Sequence, residues 1–220
     1  EVVQPMIPVL FKADATNFTS FGIGALAETI SCEVTEERNG IYELIMKYPV
    51  TGSLYKEIKT ERLVKAKPND TADDQAFRIY RVSTPLDGVV SIFAQHISYD
   101  LLGVAALQWQ SQSISPTLAM ERVFDNTATP HNFTCETDYS EAKAFAVDRP
   151  KSVRACLGGS AGSFLDLWGG EYEWDNFHVI HHQGRGQSTG VVIEYGKNLT
   201  ELEHNNDNSG VYTEMLPYAV

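Results

Sequence analysis

The sequence predicts an α+β fold that is mainly antiparallel β. Three observations carry this. Period-two alternation punctuated by tight-turn signals runs through the first hundred residues. Serine-capped helix starts follow residue 110. One more hairpin pattern comes after residue 170.

Residues 29–35 put Ile30, Cys32 and Val34 on one face and Thr29, Ser31, Glu33 and Thr35 on the other, as a half-buried strand does. Glu36-Glu37-Arg38-Asn39-Gly40 follows, and Asn-Gly favours a tight turn. Residues 41–48 return with Tyr42, Leu44, Met46 and Tyr48 on one face. Pro49, with no amide hydrogen to donate, ends the strand. Residues 52–59 have Leu54, Tyr55 and Ile58 at helical spacing, predicting a short helix. A strand over 63–66 stops before Pro68, and 69–74 form a solvated loop. A second hairpin pairs 77–82, where Phe77, Ile79 and Arg81 alternate with Arg78, Tyr80 and Val82, with 89–95 across Asp87-Gly88.

The pattern changes near Gln110. Residues 111–115 read as a polar linker. Ser115 then caps a helix with Pro116 in its first position and Met120, Val123 and Phe124 as its stripe. Ser152 caps a second helix (Val153, Cys156, Leu157), stopped by Gly158-Gly159. Ser163 caps a third (Phe164, Leu167, Trp168), with Asp166 as capping-box partner. Residues 171–174, a turn at Asp175-Asn176 and residues 177–182 form another hairpin. Strands over 191–195 and 211–216 are expected beyond it. The resulting organisation is a domain of antiparallel hairpins over 1–112, the material of a small barrel or sandwich, a small α/β domain over 113–190, and a truncated return of strands over 191–220. The ending Pro217-Tyr218-Ala219-Val220 reads as a cut within a longer polypeptide, and Met6 as the natural start.

Lys and Arg number 17 against 29 Asp and Glu, a net charge of −12. That balance argues against gripping nucleic acid, which needs cations to displace phosphate counterions, and against a basic membrane-facing surface. No apolar run approaches a membrane span and no leader pattern opens the chain, so no membrane insertion is expected of it. Cys32, Cys135 and Cys156 are too few and too widely spaced for a disulfide framework or a zinc ribbon. The Asn-x-Ser/Thr matches at Asn17, Asn69, Asn132 and Asn198 read as chance.

Four features invite a chemical reading. Gly158-Gly159-Ser160-Ala161-Gly162 fits G-x-S-x-G, but a nucleophile elbow needs a strand before the serine, and a helix precedes it here. His178-Val179-Ile180-His181-His182 would gather two ligands on a helix. On a strand it separates His178 from His182 by roughly 13 Å and turns His181 away. His96 ends a hairpin strand and reads as a packed, hydrogen-bonded residue. Glu171 and Glu173 share a strand face beside Trp174, a weak pattern for glycan cleavage. Glu36-Glu37 and Asp73-Asp74 lie in turns and read as solvated surface. Trp109, Trp168 and Trp174 suggest glycan stacking, although core packing explains tryptophans in apolar patterns. The reading is therefore no catalytic residue, no cofactor and no metal.

Several blocks together resemble a known family. Phe77-Arg78-Ile79-Tyr80, Asp87-Gly88 and Ala94-Gln95-His96-Ile97-Ser98-Tyr99-Asp100-Leu101 are similar to the N-terminal region of phage minor structural tail proteins, also called prophage endopeptidase tail or tail-associated lysin proteins. Arg149-Pro150-Lys151-Ser152-Val153, the stretch from Leu157-Gly158-Gly159 through Gly170-Glu171-Tyr172-Glu173-Trp174-Asp175-Asn176, and Tyr195-Gly196-Lys197-Asn198-Leu199-Thr200 continue the resemblance. It runs from about Ile7 to the end. It implies a baseplate or tail-tip hub, in which tail-tube-like β-barrel domains joined to small α/β domains form a homotrimer. Such a ring continues the tail tube, contacts the distal tail protein and the tape-measure protein, and passes genomic DNA without binding it. The implied location is the virion tail tip, after synthesis in the bacterial cytoplasm. Peptidoglycan-degrading activity would belong to a region further downstream. A cell-wall hydrolase and a glycan-binding tail module are the alternatives.

Overall fold

Strands β1 (Val9–Phe11), β2 (Gly24–Ala25), β3 (Ser31–Glu36), β4 (Tyr42–Pro49), β5 (Leu63–Ala66), β6 (Gln75–Ser83) and β7 (Val89–His96) form one sheet, ordered β2-β1-β5-β6-β7-β4-β3, with every pairing antiparallel. The computed structural model describes residues 7–83, 88–186, 190, 192 and 194. The compact unit discussed below ends at Arg185.

The sheet must curl, for a simple reason. Its two edge strands are consecutive in sequence. Laid flat, seven strands at about 4.8 Å spacing would put the edges roughly 29 Å apart. The chain from Ala25 to Ser31 spans at most about 23 Å at 3.8 Å per residue. A half-barrel satisfies the link. Its interior is filled by alternate residues of the predicted hairpins: Tyr42, Leu44, Met46 and Tyr48 from β4, Phe77 and Ile79 from β6, and Val90, Ile92 and Ala94 from β7. Among the described residues β2 and β3 are the terminal strands of this half-barrel.

Some strands serve two cores. Leu10, Val64 and Phe77 face the interior of the curl, whereas Val9, Phe11, Leu63 and Ala76 pack on the opposite side against the second half of the chain. All three residues of β1 are therefore buried, as expected of a continuous apolar run covered on both faces.

The second half covers that side. A 3-10 turn (Ile97–Leu102) leads to β8 (Ala105–Ala106), β9 (Trp109–Ile114), α1 (Pro116–Asp125), β10 (Thr134–Thr137), β11 (Lys143–Val147), β12 (Lys151–Ser152), α2 (Val153–Leu157), α3 (Phe164–Trp168), β13 (Glu171–Asp175) and β14 (His178–His182). A small sheet, β10-β14-β13, pairs β14 antiparallel with β13 and parallel with β10. Serines cap all three helices as expected: Ser115, Ser152 and Ser163 accept from the backbone N–H of Leu118, Ala155 and Asp166. The capping box is displaced by one residue, because the Asp166 carboxylate accepts from Gly162 N–H at 2.7 Å.

Three expectations need correction. Residues 111–114 belong to strand β9, paired with β11; its polar side chains hid it because little of it beyond Trp109 is buried. The helix over 52–59 shrinks to a 3-10 turn at Tyr55–Glu57, where the Tyr48 hydroxyl accepts Leu54 N–H and its ring lies against Gly52. A bulge between Ile79 and Arg81 reverses the β6 alternation, so Arg81 faces outward and Val82 inward. The short strands β10 and β11 lacked a legible alternation. Asp87 of the second turn, the strand expected over 211–216 and the block 195–200 lie outside the described residues, as does nearly all of 191–195.

Candidate functional site

The histidine run lies on strand β14, with His178 and His182 on one face and Val179 and His181 on the buried face. His178 meets Thr134 Oγ1 at 2.8 Å and Glu136 at 3.6 Å. His181 is fully buried; its Nε2 lies 2.8 Å from Gly169 O, so that nitrogen carries the proton, and Nδ1 accepts from Thr137 Oγ1. Burial pushes its pKa down. His181 is thus a neutral packing residue, between the rings of Tyr139 and Tyr172. Among the described residues no group of three or more His, Cys, Asp or Glu side chains is placed to hold a metal ion.

His182, Glu171 and Glu173 join an ion network at the base of the small sheet. His182 Nε2 lies 2.9 Å from Glu173 and its Nδ1 3.5 Å from Asp138. Arg185 bridges Glu173 at 3.7 Å and Glu36 at 3.1 Å, and Arg38 pairs with Glu171 at 3.3 Å. Both strand carboxylates therefore face cations. The network ties the β3–β4 turn to β13, a connection between segments more than a hundred residues apart that no local motif announces.

Ser160 lies in the loop between α2 and α3, and its hydroxyl donates to Ala155 O at 3.2 Å. A helix, not a strand, delivers it, so the elbow geometry is absent at this serine. His96 is fully buried: Nδ1 accepts Ser98 N–H, so Nε2 carries the proton and donates to Gln75 Oε1 at 3.1 Å. Burial, with the Arg154 charge second, pushes its pKa down to about 3. The same Gln75 oxygen accepts Asn176 N–H and its amide donates to Asp175, fastening the β13–β14 turn onto the large sheet.

The thiols of Cys32, Cys135 and Cys156 are free, and burial raises their pKa to about 11, 12 and 11, which keeps them protonated at neutral pH. Trp109 and Trp168 are buried; Trp168 Nε1 donates to Glu141 O, while Trp174 is half-buried beside Arg154. Asn17 and Asn69 spend their side-chain oxygens on Thr19 and Thr71 two residues on, so these Asn-x-Thr matches have a turn-forming role. Asp74 pairs with Lys65 at 3.3 Å.

The remaining unusual surface is the edge of the large sheet. Among the described residues strand β3 pairs only with β4, and Ile30 just before it is 58% exposed.

No protein-family model and no curated protein matches this chain. Among solved structures, the fold is similar to that of the prophage tail protein gp18 from Listeria monocytogenes EGD-e, with a TM-score of 0.64 at 17% identity over 89% of this chain. The match covers 57% of that protein's chain.

Proposed function

We propose that this chain is a structural segment of a phage or prophage tail, acting at the tail tip as part of a baseplate hub. The observation that supports this best is the fold shared with a prophage tail protein across most of the chain. In this reading three copies close into a ring that continues the tail tube, meets the distal tail protein and tape-measure protein, and anchors domains further along the polypeptide. The curl suits that role. A half-barrel whose β3 edge has no further partner strand among the described residues is completed, and its edge protected, when a neighbouring copy docks there. The excess of acidic residues keeps the lumen from holding DNA, since net-negative walls repel phosphates.

The test is mass photometry and negative-stain electron microscopy of the chain over a range of concentrations, with threefold rings expected. Monomers at every concentration would overturn the ring. Retention of duplex DNA at low salt, lost as salt rises, would overturn the passive lumen.

The proposed role needs no bond-making chemistry. Purified Gram-positive cell wall should keep its turbidity in the presence of the chain; clearing that disappears in Ser160→Ala or Glu173→Gln would replace this reading with a hydrolase.

A further inference from the structure

A cleft of about 350 Å³ opens between the β3–β4 turn and the face formed by α2 and β13. It holds one cation in an unusual setting. Arg154 of α2 stands 4.1 Å from the ring centroid of Tyr99 and 4.5 Å from that of Trp174, and it donates to Ser98 Oγ at 2.9 Å. Among the described residues the ion pairs engage Arg38, Arg62, Arg78 and Arg185 and leave Arg154 out. Burial disfavours its charge, the neighbouring Tyr99 and Tyr172 oppose that effect, and among the described residues no carboxylate pairs with it. Other polar groups at the cleft are occupied. Asn39 is bonded to β13, and the Tyr172 hydroxyl donates to Leu157 O. Glu37, exposed at the rim, is the one carboxylate lining it, and it forms no ion pair with Arg154.

We propose that this cleft is a carboxylate-binding site in which Arg154 supplies the fork and Tyr99 and Trp174 the walls. A guanidinium has five donors in a planar array that matches a carboxylate with two parallel bonds, and one donor here is committed to Ser98. The rings hold that plane in place while lowering the surrounding polarity, which strengthens a charge-assisted bond. The volume sits at the small end for ligand pockets, so it suits one acidic side chain of a polypeptide or a small free acid. Glu37 at the mouth opposes any anion and sets the affinity low. The site rests on residues of one chain and stands whether or not the tail-assembly reading does.

Tryptophan fluorescence provides the readout, because Trp109 and Trp168 are buried and Trp174 borders the guanidinium. The probes are N-acetylglutamate methylamide, its glutamine counterpart and glutarate. A saturable change is expected with the glutamate compound and none with the glutamine one. Arg154→Met should abolish the response, and Glu37→Gln should tighten binding by about threefold or more by removing a like charge. Tighter binding of the peptide mimic than of glutarate assigns a polypeptide source; the reverse assigns a free acid. Equal responses to the glutamate and glutamine compounds, no saturation by about 100 mM, or a response that survives Arg154→Met overturns the site. If Arg154→Met does not fold, an affinity unmoved by Glu37→Gln does so instead.

Discussion

Asn39 pairs with Tyr172 as though it were a strand. Its side-chain oxygen accepts Tyr172 N–H at 2.9 Å, and its side-chain nitrogen donates to Gly170 O at 2.9 Å. The backbone of Asn39 holds a φ of 53°, where asparagine is tolerated and most residues are strained. One residue therefore makes the β3–β4 turn and closes the end of β13.

Two substitutions separate these roles. Asn39→Gly keeps the turn but loses both bonds, and should cost about 1 kcal/mol. Asn39→Ala adds left-handed strain and should cost about 1 kcal/mol more. Urea unfolding midpoints measure both; equal costs would mean that the backbone conformation contributes nothing.

His96 makes stability depend on pH. Its folded pKa, about 3, lies below the unfolded value of about 6.5. Below that unfolded value the unfolded chain takes up a proton that the folded chain refuses. The stabilisation is complete above pH 6.5 and is lost as pH falls toward 3, at up to about 1.4 kcal/mol per pH unit. His181, also held down by burial, adds to the same slope. His96→Gln should make the decline in unfolding free energy between pH 6 and 4 shallower by about one proton. Parallel wild-type and variant curves would exclude His96 as the source.

The strands of this fold are easier to read than its joints. The β4 and β7 strands are legible because one face of each fills the curl at every second residue, although Ile45 and Phe93 put apolar side chains on the outer face. His178, His181 and His182 were placed on a strand, and in the correct facing, by the same rule. Strand β9 was not legible, since a polar strand in a two-stranded ribbon leaves the composition of a loop. The ion network around Glu173 and the cleft around Arg154 were not legible either. Their partners come from β3, α2, β13 and the 3-10 turn, and only tertiary packing brings those together. The curl follows only once the strand order is known, because edge strands joined by so short a link cannot lie at opposite sides of a flat sheet.

Arg78 and Asp100 make a two-pronged pair, Nε to Oδ1 at 2.8 Å and Nη2 to Oδ2 at 2.7 Å, which binds β6 to the 3-10 turn. Arg78 also donates to the carbonyls of Ala13 and Glu61, so it organises three segments. Asp100→Asn keeps the shape and removes the charge, and should cost about 1–2 kcal/mol. Arg78→Lys should cost at least as much, because an ammonium cannot reproduce the fork. Chemical denaturation of the two variants checks the order; a lysine variant as stable as wild type would reduce the pair to a point-charge contact.

Helix α3 has five residues, too few to persist without tertiary support. Its support is Phe164, fully buried, with ring centroids 4.9 Å from Phe145 and 4.9 Å from Trp168. Phe164→Ala leaves a cavity among aromatic rings that cannot collapse without moving α3, and should cost about 3–5 kcal/mol. Phe164→Leu fills most of that space and should cost less. Trp168 reports the local consequence, since its ring packs on Phe164 while its Nε1–H is held by Glu141 O. If α3 depends on packing alone, the alanine variant should red-shift tryptophan emission at denaturant concentrations where far-ultraviolet circular dichroism still records the large sheet. A single coincident transition would mean that the two cores, which share β1, β5 and β6, unfold as one.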